Sequence, residues 1–482
     1  MADDIRTKLD VDITQSDVIN VRGVVRIENL HDDVFRKIDE FVPINALLQT
    51  NRLFFQMKRR LCLYKLNKHY SLKYYTSESF REQLKVCNLN ISKQLILDLS
   101  HFCDVKDVSE LRGVRTLYLS RCNEVIDVSP LEGVHTLGLF YCHGITDVSA
   151  LGSVRNLNLT GCDNIADVSM LGHVHTLNLS RCNKVTDVSA LGRVNSLNLS
   201  SCKGVTDVSA LGRVHTLKLS CCDQISDVSA LGSVHTLDLS SCKGVTDVSA
   251  LRHVYSLNLS ECCNVTDVDK LKDVHSLNLS YCDRVFDVRA LGGVNTLNLT
   301  ECSQITDVSA LGNVHTLNLS SCHKVTDVSA LGGVHTLNLS GCKKIRDVSA
   351  LGSVHTLNLS CCYKVADVSA LGSVDTLNLQ FCEKVSDVSA LGGVRKLNLS
   401  YCNKVTDVSA LGGVYDLNLS YCCRVTDVSA LGGVRNLNLS YCSRVTDVSA
   451  LKDVHTLNLT SCSGVVDMSA LEGVRNLHVS EC

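Results

Sequence analysis

Close copies of one twenty-residue stretch, typified by "VHTLNLSSCHKVTDVSALGG" from Val314 to Gly333, recur without a break from about Leu97 to Cys482. A fixed period of roughly 20 to 29 residues with leucines spaced LxxLxL is the signature of a leucine-rich solenoid. His315 to Ser321 alternate polar and apolar around Leu317 and Leu319, the period-2 pattern of a half-buried strand. A strand this short cannot stand alone, so each turn must stack on the next as a parallel sheet with strands about 4.8 Å apart. Leu317, Leu319, Cys322, Val325, Val328, Leu331 and Val314 then head seven parallel columns of core.

Twenty residues leave no room for a long outer helix. Asp327, ahead of Val328, Ser329 and Ala330, is expected to cap a short 3₁₀ turn, and Gly332 with Gly333 to permit the bend into the next strand. The fold class predicted is therefore an α/β leucine-rich-repeat solenoid of about twenty strands. It would have a parallel sheet on the concave face and short 3₁₀ or extended convex segments, with a small helical domain in front.

The segment "LNLSSCHKVTD" resembles the cysteine-containing repeats of F-box proteins, and "TDVSAL", with "DVSPL" at Asp127 to Leu131, resembles the return segment of internalin-type repeats. The resemblance covers about four-fifths of the chain. It implies a horseshoe that binds a partner, without specifying which one.

A repeat array grows by turns rather than by new cores, so 482 residues do not imply three domains. Residues 1–26 read as a flexible arm, 27–60 as a small helical domain, 61–93 as a helical linker and cap with a helix at Ser77 to Val86, and 94–482 as the solenoid. In the second segment Val34, Ile38 and Val42 keep helical spacing, Pro43 breaks it, and Leu47 and Leu48 begin a second stripe. This spacing resembles the F-box from Leu30 to Met57: Leu30 with His31, Ile38, Val42 with Pro43, Leu47 and Leu53 fall on its motif positions. His31 stands where the motif has proline and Met57 where it has tryptophan. The resemblance implies docking on the adaptor subunit of a ubiquitin ligase through Leu30, Val34, Ile38, Val42, Pro43, Leu47 and Leu53. The alternative is that these helices only cap the open end of the solenoid.

Of 26 cysteines, 19 occupy one repeat position from Cys122 to Cys482, and no CxxC spacing accompanies them. They read as buried thiols rather than a disulfide or zinc framework. Adjacent rungs would cross-link if oxidised, which suits a reducing interior. The thirteen "LNLS" and "LNLT" sequons lie too close together for glycans on neighbouring strands, and the N-terminus, "MADDIRTKLDVD", lacks a signal-peptide apolar run. An intracellular, cytoplasmic or nuclear, protein is expected. No run of eighteen apolar residues suggests a membrane span, and a net charge of −3 argues against whole-surface attraction to nucleic acid.

One Asp per turn, from Asp107 to Asp467, reads as a capping column rather than a calcium ladder. Histidines at nine turns read as an exposed polar row rather than a metal or pH site, and the Asn column of Asn318 and Asn338 as amides hydrogen-bonded along the stack. No catalytic constellation emerges, and no cofactor is expected.

Identical rungs present an identical surface, so recognition must lie where turns differ. Phe381, Tyr401, Tyr421 and Tyr441 follow one another just before the cysteine. Lys324, Lys344, Lys364, Lys384, Lys404, Arg424 and Arg444 follow one another two places after it, with Arg395 and Arg435 as reinforcement. An aromatic row beside a basic row suits a protein partner, the basic row attracting an acidic segment or phosphate, and a solvated edge left by copying of one repeat is the alternative. The last strand, around Leu477, presents an edge that either pairs with another chain or is guarded by His478 and Glu481.

Overall fold

The computed structural model describes residues 24–26, 63–87, 95–102 and 104–480. The F-box-like positions Leu30, Val34, Ile38, Val42, Pro43, Leu47 and Leu53 lie outside them, as do Glu481 and Cys482. The chain divides into two compact units, Met1–Gly204 and Val205–Cys482.

The first unit opens with strand β1, Val24–Arg26, which pairs in parallel with β2, Leu63–Lys65. β1 sits at the end of the segment read from the sequence as an arm, and β2 within the segment read as a linker. Two helices follow, α1 at Lys68–Thr76 and α2 at Glu78–Cys87, the latter one residue from the expected Ser77 to Val86. Asn67 caps α1 by accepting the Tyr70 N–H at 3.0 Å. The helix docks on the first repeat strand, β3 at Leu95–Asp98, through the fully buried Ser71, whose Oγ accepts the Asp98 N–H at 3.1 Å. Arg81 of α2 ties the two helices together, donating to the carbonyls of Tyr74 and Tyr75 at 2.9 and 2.8 Å, and pairs with Glu110 at 3.1 Å. These helices therefore anchor on the first turn of the array.

From β3 onward the chain repeats one turn. Six repeat strands lie in the first unit, from Leu95–Asp98 to Ser196–Asn198, and fourteen in the second, from Thr216–Lys218 to Asn476–His478. Within each unit neighbours pair in parallel and in perfect register, Leu97 with Leu117 and Leu317 with Leu337. The protein is a leucine-rich-repeat solenoid.

The seven core columns are buried as the sequence pattern requires: Val314, Leu317, Leu319, Cys322, Val325, Val328 and Leu331 are each 0 or 1% exposed. Register and burial enforce each other, because a one-residue slip would turn both leucines to solvent. The return segment is a 3₁₀ helix of three to five residues, such as Ser329–Gly333.

Three expectations about local chemistry need correction. Asp327 acts one position earlier than an N-cap: the cap residue is Val328, which makes no side-chain capping bond, while Asp327 Oδ1 accepts the Ser329 N–H at 2.9 Å. Gly332 is not required for a left-handed bend. Its position faces the backbone of the next turn, and a Cβ there would lie 2.4 Å from the Ala350 carbonyl oxygen. The Asn column does not ladder along the stack, since Asn318 Oδ1 accepts the Ser320 N–H of its own turn at 3.0 Å and closes the end of the strand. Asp238 does the same for Ser240, and there the next rung's Asn258 also donates to Asp238 at 3.0 Å.

Candidate functional site

At the end of each strand the chain must turn while still donating an N–H to the neighbouring turn. It does so with one left-handed residue just before the cysteine, at φ between 54° and 72° in every turn from His101 to Ser461. That residue's N–H continues the ladder, as in Ser321 to the Ser340 carbonyl at 2.7 Å and Tyr421 to the Ser440 carbonyl at 2.9 Å. Only Gly161 and Gly341 supply the residue type such a conformation favours. Elsewhere the corner holds His, Arg, Ser, Cys, Glu, Tyr or Phe, so its side chain varies freely from turn to turn. The aromatic column read from the sequence is this corner.

Phe381, Tyr401, Tyr421 and Tyr441 form a continuous offset stack with centroid distances of 4.2, 4.2 and 4.2 Å and interplanar angles of 21°, 10° and 11°. The rings lie over the outward face of the strand ends: Ser400, Ser420 and Ser440 are buried beside them at 2, 8 and 8% exposure, whereas Ser320 and Ser340 in ring-free turns are partly exposed. The Ser400 hydroxyl is sealed in without a partner. Packing of neighbouring rings desolvates the Tyr421 phenol, which also shares hydrogen bonding with Tyr401 and Tyr441; both effects push its pKa up to about 12, so it remains a donor at neutral pH.

The basic column lies three residues on, past the buried cysteine. Lys384, Lys404, Arg424 and Arg444 are exposed and form no ion pair among the described residues. Lys324 donates to Gln304 at 2.6 Å. Three further residues on, Asp387, Asp407, Asp427 and Asp447 form an exposed acidic column. Hydrogen bonds from Ser389, Ser409, Ser429 and Ser449 hold these carboxyls below the ordinary range.

The same turns diverge at the start of the strand. In the column where nine rungs carry histidine, four consecutive rungs carry Asp375, Arg395, Tyr415 and Arg435 instead. Arg395 is not free to reinforce the basic row: its Nε lies 3.0 Å from Asp375. Arg435 packs over the Tyr415 ring at 5.8 Å. Both stand at the opposite end of the strand from the aromatic corner.

The histidine row is a set of side-by-side rings. His215, His235, Tyr255 and His275 stack at 4.6 to 4.8 Å, and His315, His335 and His355 continue at 4.6 and 4.7 Å. Among the described residues no group of three or more His, Cys, Asp or Glu side chains is placed to hold a metal ion. Among the described residues the ladder cysteines are free thiols that donate to leucine carbonyls of the preceding turn, as Cys322 to Leu299 at 3.1 Å and Cys342 to Leu319 at 3.1 Å. Burial raises the Cys342 pKa to about 12, which leaves no thiolate for nucleophilic or metal chemistry at neutral pH.

The sequence missed the left-handed corner and the burial of serines beneath the rings. Gly161 and Gly341, the two glycines in an otherwise side-chain-bearing column, were the one signal of it.

No family model matches the chain, and no curated protein matches it. Among solved structures, the functional domain of InlJ from Listeria monocytogenes, which includes a cysteine ladder, is 19% identical, with 73% of this chain and 75% of that one covered and a TM-score of 0.37. A leucine-rich-repeat protein of Leptospira interrogans is 16% identical over 78% of this chain and 92% of its own, with a TM-score of 0.41. The internalin InlF of Listeria monocytogenes is 17% identical over 85% and 93%, with a TM-score of 0.26. Among the described residues no helix is long and apolar enough to cross a membrane.

Proposed function

We propose that this chain is a non-catalytic protein-binding scaffold whose recognition site lies on the four turns from Asp375 to Arg444. One observation carries the reading: these turns depart from the repeat background at both ends of the strand at once. Asp375, Arg395, Tyr415 and Arg435 form an unbroken run without histidine at its start, where after the first turn other rungs without it occur singly, and Phe381, Tyr401, Tyr421 and Tyr441 stack at its end. Tyrosine supplies large contact area at low conformational-entropy cost, and tyrosine and arginine are both enriched at binding hot spots. Copying alone would leave all the outward columns alike.

The test is comparative cross-linking of full-length protein in its native cells. Replacing Tyr401, Tyr421 and Lys404 together by serine, a residue the corner already holds at Ser321, should remove the partner while circular dichroism stays unchanged. An unchanged set of partners would overturn the site. A second reading, docking of a ubiquitin-ligase adaptor, is supported by the spacing of Leu30, Ile38, Val42 and Pro43 alone. It predicts that full-length protein captures the purified adaptor and that Leu30→Ala with Ile38→Ala abolishes capture; absence of capture by the unmodified chain removes it. An intracellular location accompanies either reading, because it keeps the thiol ladder reduced.

A further inference from the structure

We propose that the strip formed by Phe381, Tyr401, Tyr421, Tyr441, Lys384, Lys404, Arg424 and Arg444 takes a single extended acidic polypeptide segment laid along the stack, across the rungs. The inference rests on the binding-site reading above and adds the class of partner.

The ring geometry decides what chemistry the strip offers. Because the four rings stack on one another at 4.2 Å, their faces are occupied by each other. Only the outermost faces of Phe381 and Tyr441 are left, so the row cannot offer successive platforms for nucleobases or sugar rings, which bind single-stranded nucleic acid by face stacking. What it offers is a line of ring edges. The edge of an aromatic ring carries positive potential and its face negative potential, so a row of edges favours anions. The tyrosine hydroxyls add donors. The neighbouring ammonium and guanidinium groups, unpaired among the described residues, add full positive charge. Apart from the exposed Glu383 at one end, the groups on the strip favour an acceptor or an anion.

The width of the strip selects among anions. In the same turns Asp387, Asp407, Asp427 and Asp447 run parallel to the basic column only three residues further on, all exposed. Positive potential is therefore confined between the sheet face on one side and an acidic column on the other. Nucleic acid duplexes and anionic membranes present charge across a broad front and would meet that acidic column. One polypeptide in extended conformation does not. At about 4.8 Å per rung, the strip from Lys384 to Arg444 spans about 14 Å, or about four extended residues at 3.3 Å each, and the basic column continues to Lys324 over about 29 Å, or about nine residues.

The test uses full-length protein and a fluorescein-labelled nona-glutamate peptide, followed by fluorescence anisotropy at low and physiological salt. Saturable binding that weakens as salt rises is expected. Lys404→Glu with Arg424→Glu should weaken it at least about tenfold, since two exposed charges reversed at roughly 0.7 kcal/mol each amount to that factor. Arg193→Glu with Lys203→Glu, on other turns, should leave it unchanged. A nine-nucleotide oligothymidylate should bind at least about tenfold more weakly than the peptide.

Equal loss in both charge-reversal variants, or no saturable peptide binding, overturns the proposal. Equal or tighter binding of oligothymidylate also overturns it, in favour of a nucleic-acid strip. If the serine triple variant loses its cellular partner although nona-glutamate never binds, the acidic class falls and the site stands. If the partner set is also unchanged, both fall.

Discussion

The cysteine ladder permits a sharp test of what a buried thiol contributes to a turn. Cys322 is 0% exposed and its Sγ donates to the Leu299 carbonyl at 3.1 Å, but that carbonyl already accepts the Cys302 N–H at 3.1 Å. Removing the thiol therefore leaves no orphaned acceptor, and the second hydrogen bond contributes at most about 0.5 kcal/mol. Loss of a buried group of methylene size costs about 0.8 kcal/mol, and a residual void of roughly 20 Å³ at about 24 cal/mol per Å³ adds about 0.5 kcal/mol. Cys322→Ala should thus destabilise its turn by about 2 kcal/mol. Serine keeps a donor but buries a hydroxyl, which is far more strongly hydrated in the unfolded chain than the thiol it replaces. That adds a desolvation cost of about 1 to 3 kcal/mol, so Cys322→Ser should be worse than Cys322→Ala. Because turns couple mainly to neighbours, the assay is native-state hydrogen exchange across residues 302–342 rather than a global midpoint. If serine protects these amides better than alanine, hydrogen bonding rather than packing dominates the ladder and the reasoning fails.

Alkylation of native protein at pH 8 should label Cys221, Cys263 and Cys423, which are exposed, and spare Cys342, whose pKa of about 12 leaves roughly one thiolate in 10⁴; mass spectrometry reads the sites. The Asp column predicts acid sensitivity. Carboxyls such as Asp327 and Asp347 titrate below 3.8 in the folded state through bonds from Ser329 and Ser349, so their contribution is complete above the unfolded value and is lost as pH falls through the folded one. Urea midpoints should drop as pH falls below about 4, and Asp→Asn at several rungs, which keeps Oδ1 but not the charge, should flatten that drop. At the left-handed corner Ser321→Gly should stabilise by up to about 1 kcal/mol, whereas Gly341→Ala should cost about 1 to 2 kcal/mol; urea titration distinguishes the signs.

The columns that build the turn were legible because each is dictated by a single force. Leu317, Leu319, Val325 and Val328 recur with the period of the strand and return, and burial follows from that period alone. Asp327 was legible in role but not in position, since an acceptor one residue before the cap satisfies the same N–H. Asn318 was misread because an amide can bond along the stack or back onto its own turn, and nothing in a column of identical amides selects between them. The corner was hidden for a different reason: a left-handed residue announces itself through Gly or Asn, and here Tyr401, Glu301 and Arg181 adopt the conformation because register with the next turn imposes it. The aromatic and basic rows were visible as composition, but not the paired state of Arg395 or the closure of the ring faces, which depend on side-chain geometry.

That closure bears on how a uniform array acquires specificity. A core position cannot change without disturbing two neighbours, and the Asp and Asn positions are each committed to a backbone N–H of their own turn. The corner is committed only through its own backbone, so its side chain can change at no cost to register; glycine, serine, glutamate and tyrosine all occur there. A tyrosine alone at a corner, such as Tyr281, already buries the serine beside it, Ser280 at 7% exposure, but leaves both ring faces open, whereas consecutive ones cover one another's faces. If the proposed site is right, specificity rests on closure of the ring faces, a property of adjacent turns and of no single substitution. Moving one ring out of the run should show it: with Tyr421→Ser and Ser321→Tyr together, the number of corner aromatics is unchanged but the stack is broken. If partner binding requires the stack, this rearranged protein should lose it as completely as the triple serine variant does. Retention of binding would show that the tyrosines act one by one.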